Sequence, residues 1–270
     1  MKLACAEVQK FRQEVNNYYA QHGRHDLPWR QPESRGGFDP YKILVSELML
    51  QQTQVNRVIP KYHEFLQAFP DVNNLTAAPL GEVITVWSGL GYNRRAKYLH
   101  EAARQISKLG SFPNTITELV KLPGVGKNTA GAIVAYAYNQ PEVFVETNIR
   151  TVYIHHFLMH TPGISDSQIT GLVEATLCKT HPREWYWALM DYGSYLKREI
   201  GNLNKLSKVY SKQSAFIGSK RQLRGKVLRE LAHKPRHLSE FTIDDYWLPE
   251  ILETLVTEGL IRCSEGVYRL

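Results

Sequence analysis

Hydrophobic positions recur at helical spacing through most of the first 200 residues, and glycine, proline or amide-rich breaks separate the runs. Val8, Phe11, Val15, Tyr18 and Tyr19 predict a helix over 7–22 that ends at His22-Gly23. Leu27-Pro28-Trp29-Arg30 opens an extended segment reaching Pro40, and Ile43, Leu44, Leu48 and Leu50 restart the helical period from Tyr41. A helix from Pro60 to Ala68 is predicted to stop at Phe69-Pro70, and another over 80–87 at Ser88-Gly89-Leu90-Gly91-Tyr92. Ile116, Leu119, Val120 and Leu122 lead into a glycine turn. From it a helix with Thr129, Ala130, Ala132, Ile133 and Ala135 runs to about Tyr138. Val143-Phe144-Val145 then approaches a helix over 149–157, and segments 167–180 and 183–197 complete the helical part. The fold class is mainly α.

The remainder changes character. Residues 205–219 carry lysines and turn-formers with weak periodicity and read as a basic linker. Over 220–270, Leu223, Val227, Leu228 and Leu231 mark a helix, and a second short one is expected around 242–247. A third runs from Pro249 to a Gly259 cap, and a terminal hairpin turns at Ser264-Glu265-Gly266. Three helices and a hairpin describe a small winged-helix-like domain.

The turn Leu122-Pro123-Gly124-Val125-Gly126-Lys127 joins two helices with so few residues that its backbone needs positive φ, which glycine supplies. Backbone amides of Gly124 and Gly126, with Lys127 beside them at a helix start, suit an anion such as a DNA phosphate. A tight helix–helix turn without a ligand would use the same residues.

Charge sharpens this picture. The chain of 270 residues has 43% hydrophobic and 22% charged residues and a net charge of +7, unevenly spread. Residues 197–236 hold twelve Lys/Arg against Glu199 and Glu230, whereas 237–270 hold two Arg against seven acids. A basic block of that kind points to a polyanionic partner or to a solvated face. Within the C-terminal domain the presumptive recognition helix carries Glu250, Glu253 and Glu258 and no Lys or Arg. The cations lie on the first helix instead (Lys220, Arg221, Arg224, Lys226, Arg229). This arrangement suits backbone phosphates or a protein partner better than a major groove. No apolar run has membrane-spanning length, and the N-terminal stretch is unlike a signal peptide. Cys5, Cys178 and Cys263 form no CxxC pair, which fits a reducing cytoplasm, with nucleoid association if the source is bacterial. The His155-His156 pair lies in an apolar-aromatic stretch and lacks metal-ligand spacing.

Glu47 sits inside an apolar helical run. An acid there either faces solvent or is set into a core, where burial would raise its pKa towards proton donation near neutrality. The amides of Gln51 and Gln52 can fill the hole left by a displaced base, read base edges, or form a polar surface. Tyr92, flanked by Gly91 and followed by Arg94 and Arg95, reads as an aromatic wedge with phosphate-holding guanidinium groups, or as a helix cap with solvated arginines. Glu146 falls at a helix start, where negative charge is favoured.

In combination, four strings resemble the helix-hairpin-helix DNA glycosylases of the endonuclease III superfamily, and within it the MutY-type adenine glycosylases. They are Leu27–Arg30, Ser46–Val55, Trp87–Tyr92, and Leu122–Gly126 with Thr129-Ala130-Gly131. The resemblance covers roughly residues 1–196. It implies two helical lobes with DNA in the cleft between them, a glycosylase domain over 1–204 with a six-helix lobe at about 30–138, and a second lobe from the N-terminal helix and 139–204. It makes Glu47 the acid that protonates a flipped adenine, Tyr92 the wedge, and Gln51 and Gln52 the amides at the vacated stack. Arg30, Arg94, Arg95, Leu122, Gly124, Gly126 and Lys127 join the DNA-binding set. Double-stranded DNA with a mismatched or damaged base is the implied partner of a monomer, with a protein partner as the alternative for 220–270.

The chain departs from the family pattern in four places. Glu146 stands where the family has Asp as the carboxylate facing the oxocarbenium ion. Asn128 occupies the position of the nucleophilic Lys of endonuclease III-like lyases and of Ser or Tyr in MutY-type enzymes. Asn cannot form a Schiff base, and Lys127 lies roughly 100° round the helix, so a monofunctional glycosylase is expected, with at most weak lyase activity. No Cys occurs from Lys197 to Lys212, where the iron–sulfur motif should lie, so no cofactor is expected. The family's 8-oxoguanine-recognition domain is replaced by the winged-helix-like module. The expectation is removal of adenine opposite guanine or 8-oxoguanine. The alternatives are thymine or uracil removal opposite guanine, and non-catalytic binding of damaged DNA.

Overall fold

The computed structural model describes residues 3–208, 210–211 and 215–270; Val209 and residues 212–214 of the expected linker lie outside them. Among the described residues the helices are, in chain order, α1 Cys5–His22, α2 Pro40–Leu50, α3 Val55–Ala68, α4 Val72–Ala77, α5 Leu80–Trp87, α6 Arg94–Leu109, α7 Ile116–Leu119, α8 Lys127–Tyr138, α9 Thr147–Tyr153, α10 Asp166–Thr176, α11 Pro182–Glu199, α12 Lys220–His233 and α13 Leu248–Thr257. Strands β1 Arg236–His237, β2 Arg262–Ser264 and β3 Val267–Arg269 complete them. Side-chain caps fix several helix starts: Asp71 accepts from the Asn74 amide, Thr115 from Glu118, Ser165 from Gln168 and Ser219 from Gln222. No described helix is long and apolar enough to cross a membrane.

The chain divides into two compact units. The first comprises Met1–Ile43, Asn114–Val120 and Val125–Lys212. Its core is built on α11, whose buried Trp185, Tyr186 and Leu189 face Phe11 and Val15 of α1 and Ile149, Val152 and Tyr153 of α9. Past Tyr153 the helix loosens into a π turn over Ile154–Leu158. There the His156 ring packs edge-on against Phe11 at 5.0 Å and bonds the Tyr192 hydroxyl, and burial lowers its pKa to about 4. It is a packing histidine. No group of three or more His, Cys, Asp or Glu placed to hold a metal occurs among the described residues.

The second unit comprises Leu44–Pro113, Lys121–Gly124 and Gln213–Leu270. Phe65, Leu75, Trp87 and Leu99 form its helical core. The C-terminal helices and a three-stranded antiparallel sheet, order β1-β3-β2, belong to this unit, with Tyr268 paired to both Arg236 and Cys263. Lys97 of α6 donates to the Glu258 carbonyl at the end of α13, and a Cβ at Gly81 in α5 would lie 3.0 Å from Leu270.

Two predicted elements differ. The helix expected from Pro60 begins at Val55, because Gln54 already has extended N-cap backbone and Pro60 is accommodated inside the helix. The short helix expected around 242–247 is absent. The Thr242 amide and hydroxyl both bond the Glu230 carboxylate, and the Trp247 amide bonds Asp245 Oδ1, so side chains compete with the helical ladder. The 3-10 turn lies earlier, at Leu238–Glu240.

Candidate active site

In the first unit Glu146 is the N-cap of α9, and the segment before it is fastened residue by residue. Tyr186 donates its hydroxyl to the Glu142 carbonyl at 2.6 Å. The Phe144 ring stacks on Tyr186 at 4.0 Å, and Gly131 of α8 is bare where a Cβ would come within 2.8 Å of Phe144. Asn128, in the first turn of α8, donates Nδ2–H to the Val145 carbonyl at 2.8 Å and accepts the Val145 amide at 3.3 Å. Behind Glu146, α9 lies so close to α11 that a Cβ on Gly193 would overlap the Asn148 backbone carbonyl. Burial pushes the Glu146 carboxyl up to about 7, against an ordinary value of 4.5.

These bonds change the role expected of Asn128. Both polar atoms of its amide engage the backbone of Val145, the residue before Glu146. Lys127, next to it, is exposed at the start of α8, as is its N-cap Gly126.

In the second unit, Glu47 lies half-buried three residues before the end of α2, between the fully buried Ser46 and Leu48. The carbonyls at that helix end are collected by Arg95, whose Nη1 donates to Leu48 and Gln51 at 2.6 Å and to Met49 at 3.0 Å, while Nη2 reaches Gly91 at 2.9 Å. Burial lowers its pKa to about 10, still well above neutrality. Arg95 is thus not the surface phosphate ligand expected of it. It caps α2 from inside and fixes the loop that carries Tyr92.

Arg30 differs in the same way. It is buried in the first unit, where Nη1 and Nη2 bond the Asp191 carboxylate at 2.8 and 2.9 Å, joined by Arg24. Burial alone would raise the Asp191 pKa, but the hydrogen bonds and charge of Arg30, with the charge of Arg24, hold it below the ordinary carboxylate value. Leu122 is buried and contributes packing. Gly124 has φ +77°, and a Cβ there would meet Tyr98 Cβ at 2.8 Å, so glycine is required both for the turn and for the close approach.

The other predicted DNA-facing residues converge. Gln51, Gln52, Tyr92 and exposed Arg94 line one recess of about 540 Å³ in the second unit. Tyr92 and Gln52 both have left-handed backbone, φ 49° and 54°, an arrangement uncommon for non-glycine residues. Asn93 and Arg95 also line it, as do Tyr98, Arg221, Arg224 and Glu258, four residues the sequence reading missed as site residues. Helical spacing marks Tyr98 as one turn beyond Arg94, but nothing in the sequence ties Arg221 to Tyr92 across so long a separation.

The four-thiolate iron–sulfur cluster that the resemblance would place near Lys197–Lys212 raises the question of fit. This chain has three cysteines, Cys5 and Cys263 exposed and Cys178 partly so, and cannot supply four thiolates.

A profile of the HhH-GPD superfamily of base excision DNA repair proteins matches residues 45–174. An adenine DNA glycosylase of Mycolicibacterium smegmatis is 31% identical over 274 residues, spanning 92% of each chain. Another from Buchnera aphidicola is 36% identical over 192 residues, covering 69% of this chain and 52% of that one, so the chain spans about half the length of that relative. The structure of a thermostable thymine-DNA glycosylase superposes with a TM-score of 0.62 at 24% identity, over 70% of this chain and 87% of that one, which establishes the shared fold.

Proposed function

The chain belongs to the HhH-GPD superfamily of base excision DNA repair proteins, and from that premise we propose that it is a monofunctional DNA glycosylase that removes adenine opposite guanine or 8-oxoguanine. The observation that carries the proposal is Glu146, a carboxyl held near neutrality by burial at the start of α9, with the Val145 backbone before it held by Asn128. An adenine DNA glycosylase similar over 92% of both chains supplies the substrate of the proposal.

The reaction needs a base turned out of the duplex. Glu47, as its carboxylic acid, donates a proton to a ring nitrogen of the adenine. The C1′–N bond then breaks with its electron pair going to the neutral leaving base. The sugar becomes an oxocarbenium ion, which the Glu146 carboxylate stabilises until water adds at C1′ and releases a proton. Tyr92, Gln51 and Gln52 hold the duplex open, and the amides of the Gly124–Gly126 turn take a backbone phosphate. Asn128, with an amide in place of an amine, offers no Schiff-base nucleophile, so strand cleavage is not part of the reaction.

The deciding experiment is single-turnover base release from duplexes carrying A opposite G, A opposite 8-oxoguanine, T opposite G and U opposite G. Adenine release, lost in Glu47→Gln with duplex binding retained, supports the proposal. Release of pyrimidine alone replaces the substrate. Tight binding with no release from any duplex replaces the enzyme by a binder.

A further inference from the structure

Helix α12 carries the densest positive charge of the chain, and most of the cations nearest α13 are paired within the fold. Lys220 bonds Glu250, and Arg224 bonds Glu258. Arg221 is turned the other way. Its guanidinium donates to the Tyr92 hydroxyl and lies 5.1 Å from the Tyr92 ring centroid. Arg94 donates to the Tyr98 hydroxyl at 2.8 Å and lies 5.6 Å from that ring. The recess of about 540 Å³ is therefore walled by two tyrosines, each bonded to an arginine, with the amides of Gln51 and Gln52 beside them. Four arginines line it against one carboxylate, and that carboxylate, Glu258, is bonded to Arg224. The volume falls within the range of ordinary ligand sites, and aromatic faces beside guanidinium groups match a base and its phosphate.

We propose that this recess holds one nucleotide of a bound DNA strand, with its phosphate between Arg94 and Arg221 and its base against Tyr98 and Tyr92. Helix α12 is then part of the DNA-binding surface and acts through a backbone contact. This agrees with the acidic character of α13, which presents Glu250 and Glu253 on a helix without a basic residue. The planar fork of Arg221 can hold a tyrosine hydroxyl and a phosphate oxygen together, which a lysine ammonium does less well. Binding of DNA is taken from the glycosylase reading, but the site is tested without any excision.

The test uses the full chain and a fluorescein-labelled duplex of about 25 bp with a tetrahydrofuran abasic site opposite guanine, which cannot be turned over. Dissociation constants are measured by anisotropy from about 50 to about 200 mM KCl. One lost phosphate contact lowers the slope of log K against log salt by ~0.9, so Arg221→Ala loses about 3.5-fold less affinity across that range than the parent protein. Arg221→Lys retains the slope. Arg221→Gln keeps a donor for the Tyr92 hydroxyl while removing the charge, so its slope falls like that of Arg221→Ala and separates charge from folding. Tyr98→Leu weakens binding by about five-fold or more through lost stacking. Unchanged affinity and slope in folded Arg221→Gln would overturn the proposal and leave Arg221 as a strut for Tyr92.

Discussion

The side-chain amide of Asn128 holds the Val145 peptide from both sides, donating to its carbonyl at 2.8 Å and accepting its amide at 3.3 Å. The bond spans from the first turn of α8 to the residue preceding Glu146. Only a primary amide supplies a donor and an acceptor in this geometry. A hydroxyl would have to serve both roles from one atom, and an ammonium donates only to the carbonyl.

Asn128→Ala should therefore leave two part-buried backbone groups of Val145 without this partner. The expected cost is about 1–3 kcal/mol of stability, measured by urea unfolding. A carboxylate displaced by on the order of 1 Å should lower single-turnover base release by about 100-fold while the duplex dissociation constant stays within about two-fold. Asn128→Asp keeps the acceptor but sets a second oxygen against the Val145 carbonyl, and should recover little of the rate. Equal loss of binding and rate would show a general collapse instead of misplacement.

Glu146→Gln should move stability and activity in opposite directions. The folded state holds a proton on Glu146 up to about pH 7, whereas the ordinary value is 4.5. Between these values the native state binds more protons than the unfolded one, so stability falls as pH rises and remains lower above pH 7. Removing the charge should stabilise the protein at pH 8, on the order of 2–3 kcal/mol, with little effect at pH 4.5. Base release should fall about 100- to 1000-fold, since the cation loses its carboxylate. Thermal unfolding at the two pH values checks the first expectation. In the parent protein the rate should rise with pH through about 7 as Glu146 ionises.

The local part of this architecture was legible in the sequence, because it follows from periodicity and turn chemistry. The spans of α1, α2, α5 and α8, the glycine turn and the terminal hairpin agree with it closely. Glu146 at a helix start was also readable from Thr147 onward. The arginines were not. Arg30 and Arg95 follow glycine- or proline-rich loops, as phosphate ligands do, but their partners are Asp191 and the carbonyls at the end of α2, distant in sequence. The reversed orientation of Arg221 is likewise a tertiary fact. Short polar segments such as 242–247 failed for a related reason, since the Glu230 carboxylate that bonds Thr242 belongs to α12.

Arg95→Met separates a cap from a phosphate ligand. The methionine fills the space but removes the guanidinium donors from the Leu48, Met49 and Gln51 carbonyls, and should cost on the order of 3 kcal/mol in urea unfolding. The salt dependence of duplex binding should keep its slope in the folded protein. A slope reduced by ~0.9 would instead mean that Arg95 reaches a phosphate.

The Arg24–Asp191–Arg30 cluster predicts an acid limb. The Asp191 carboxyl is held below its ordinary value, so its contribution is complete above about pH 4 and disappears as pH falls through the lower folded value. Asp191→Asn should destabilise the protein at pH 7 by about 3–5 kcal/mol, because buried Arg30 loses its counter-charge. The variant's stability should then change less between pH 4 and pH 2 than that of the parent protein. Parallel acid-unfolding curves for the two proteins would contradict this account.

Gly131 and Gly193 flank the Glu146 segment, and alanine at each should act differently. At Gly131 the added methyl meets the Phe144 side chain, which can shift on its stack with Tyr186. The expected cost is about 1–2 kcal/mol, with a reduced but measurable rate of base release. At Gly193 the methyl meets the Asn148 backbone carbonyl, so α9 and α11 must part. That should cost about 3 kcal/mol or more and move the N-cap that carries Glu146. Base release from Gly193→Ala at a temperature where it remains folded should therefore fall further than from Gly131→Ala. The reverse order would mean that the Phe144 side, and not the α9–α11 contact, sets the position of the carboxylate.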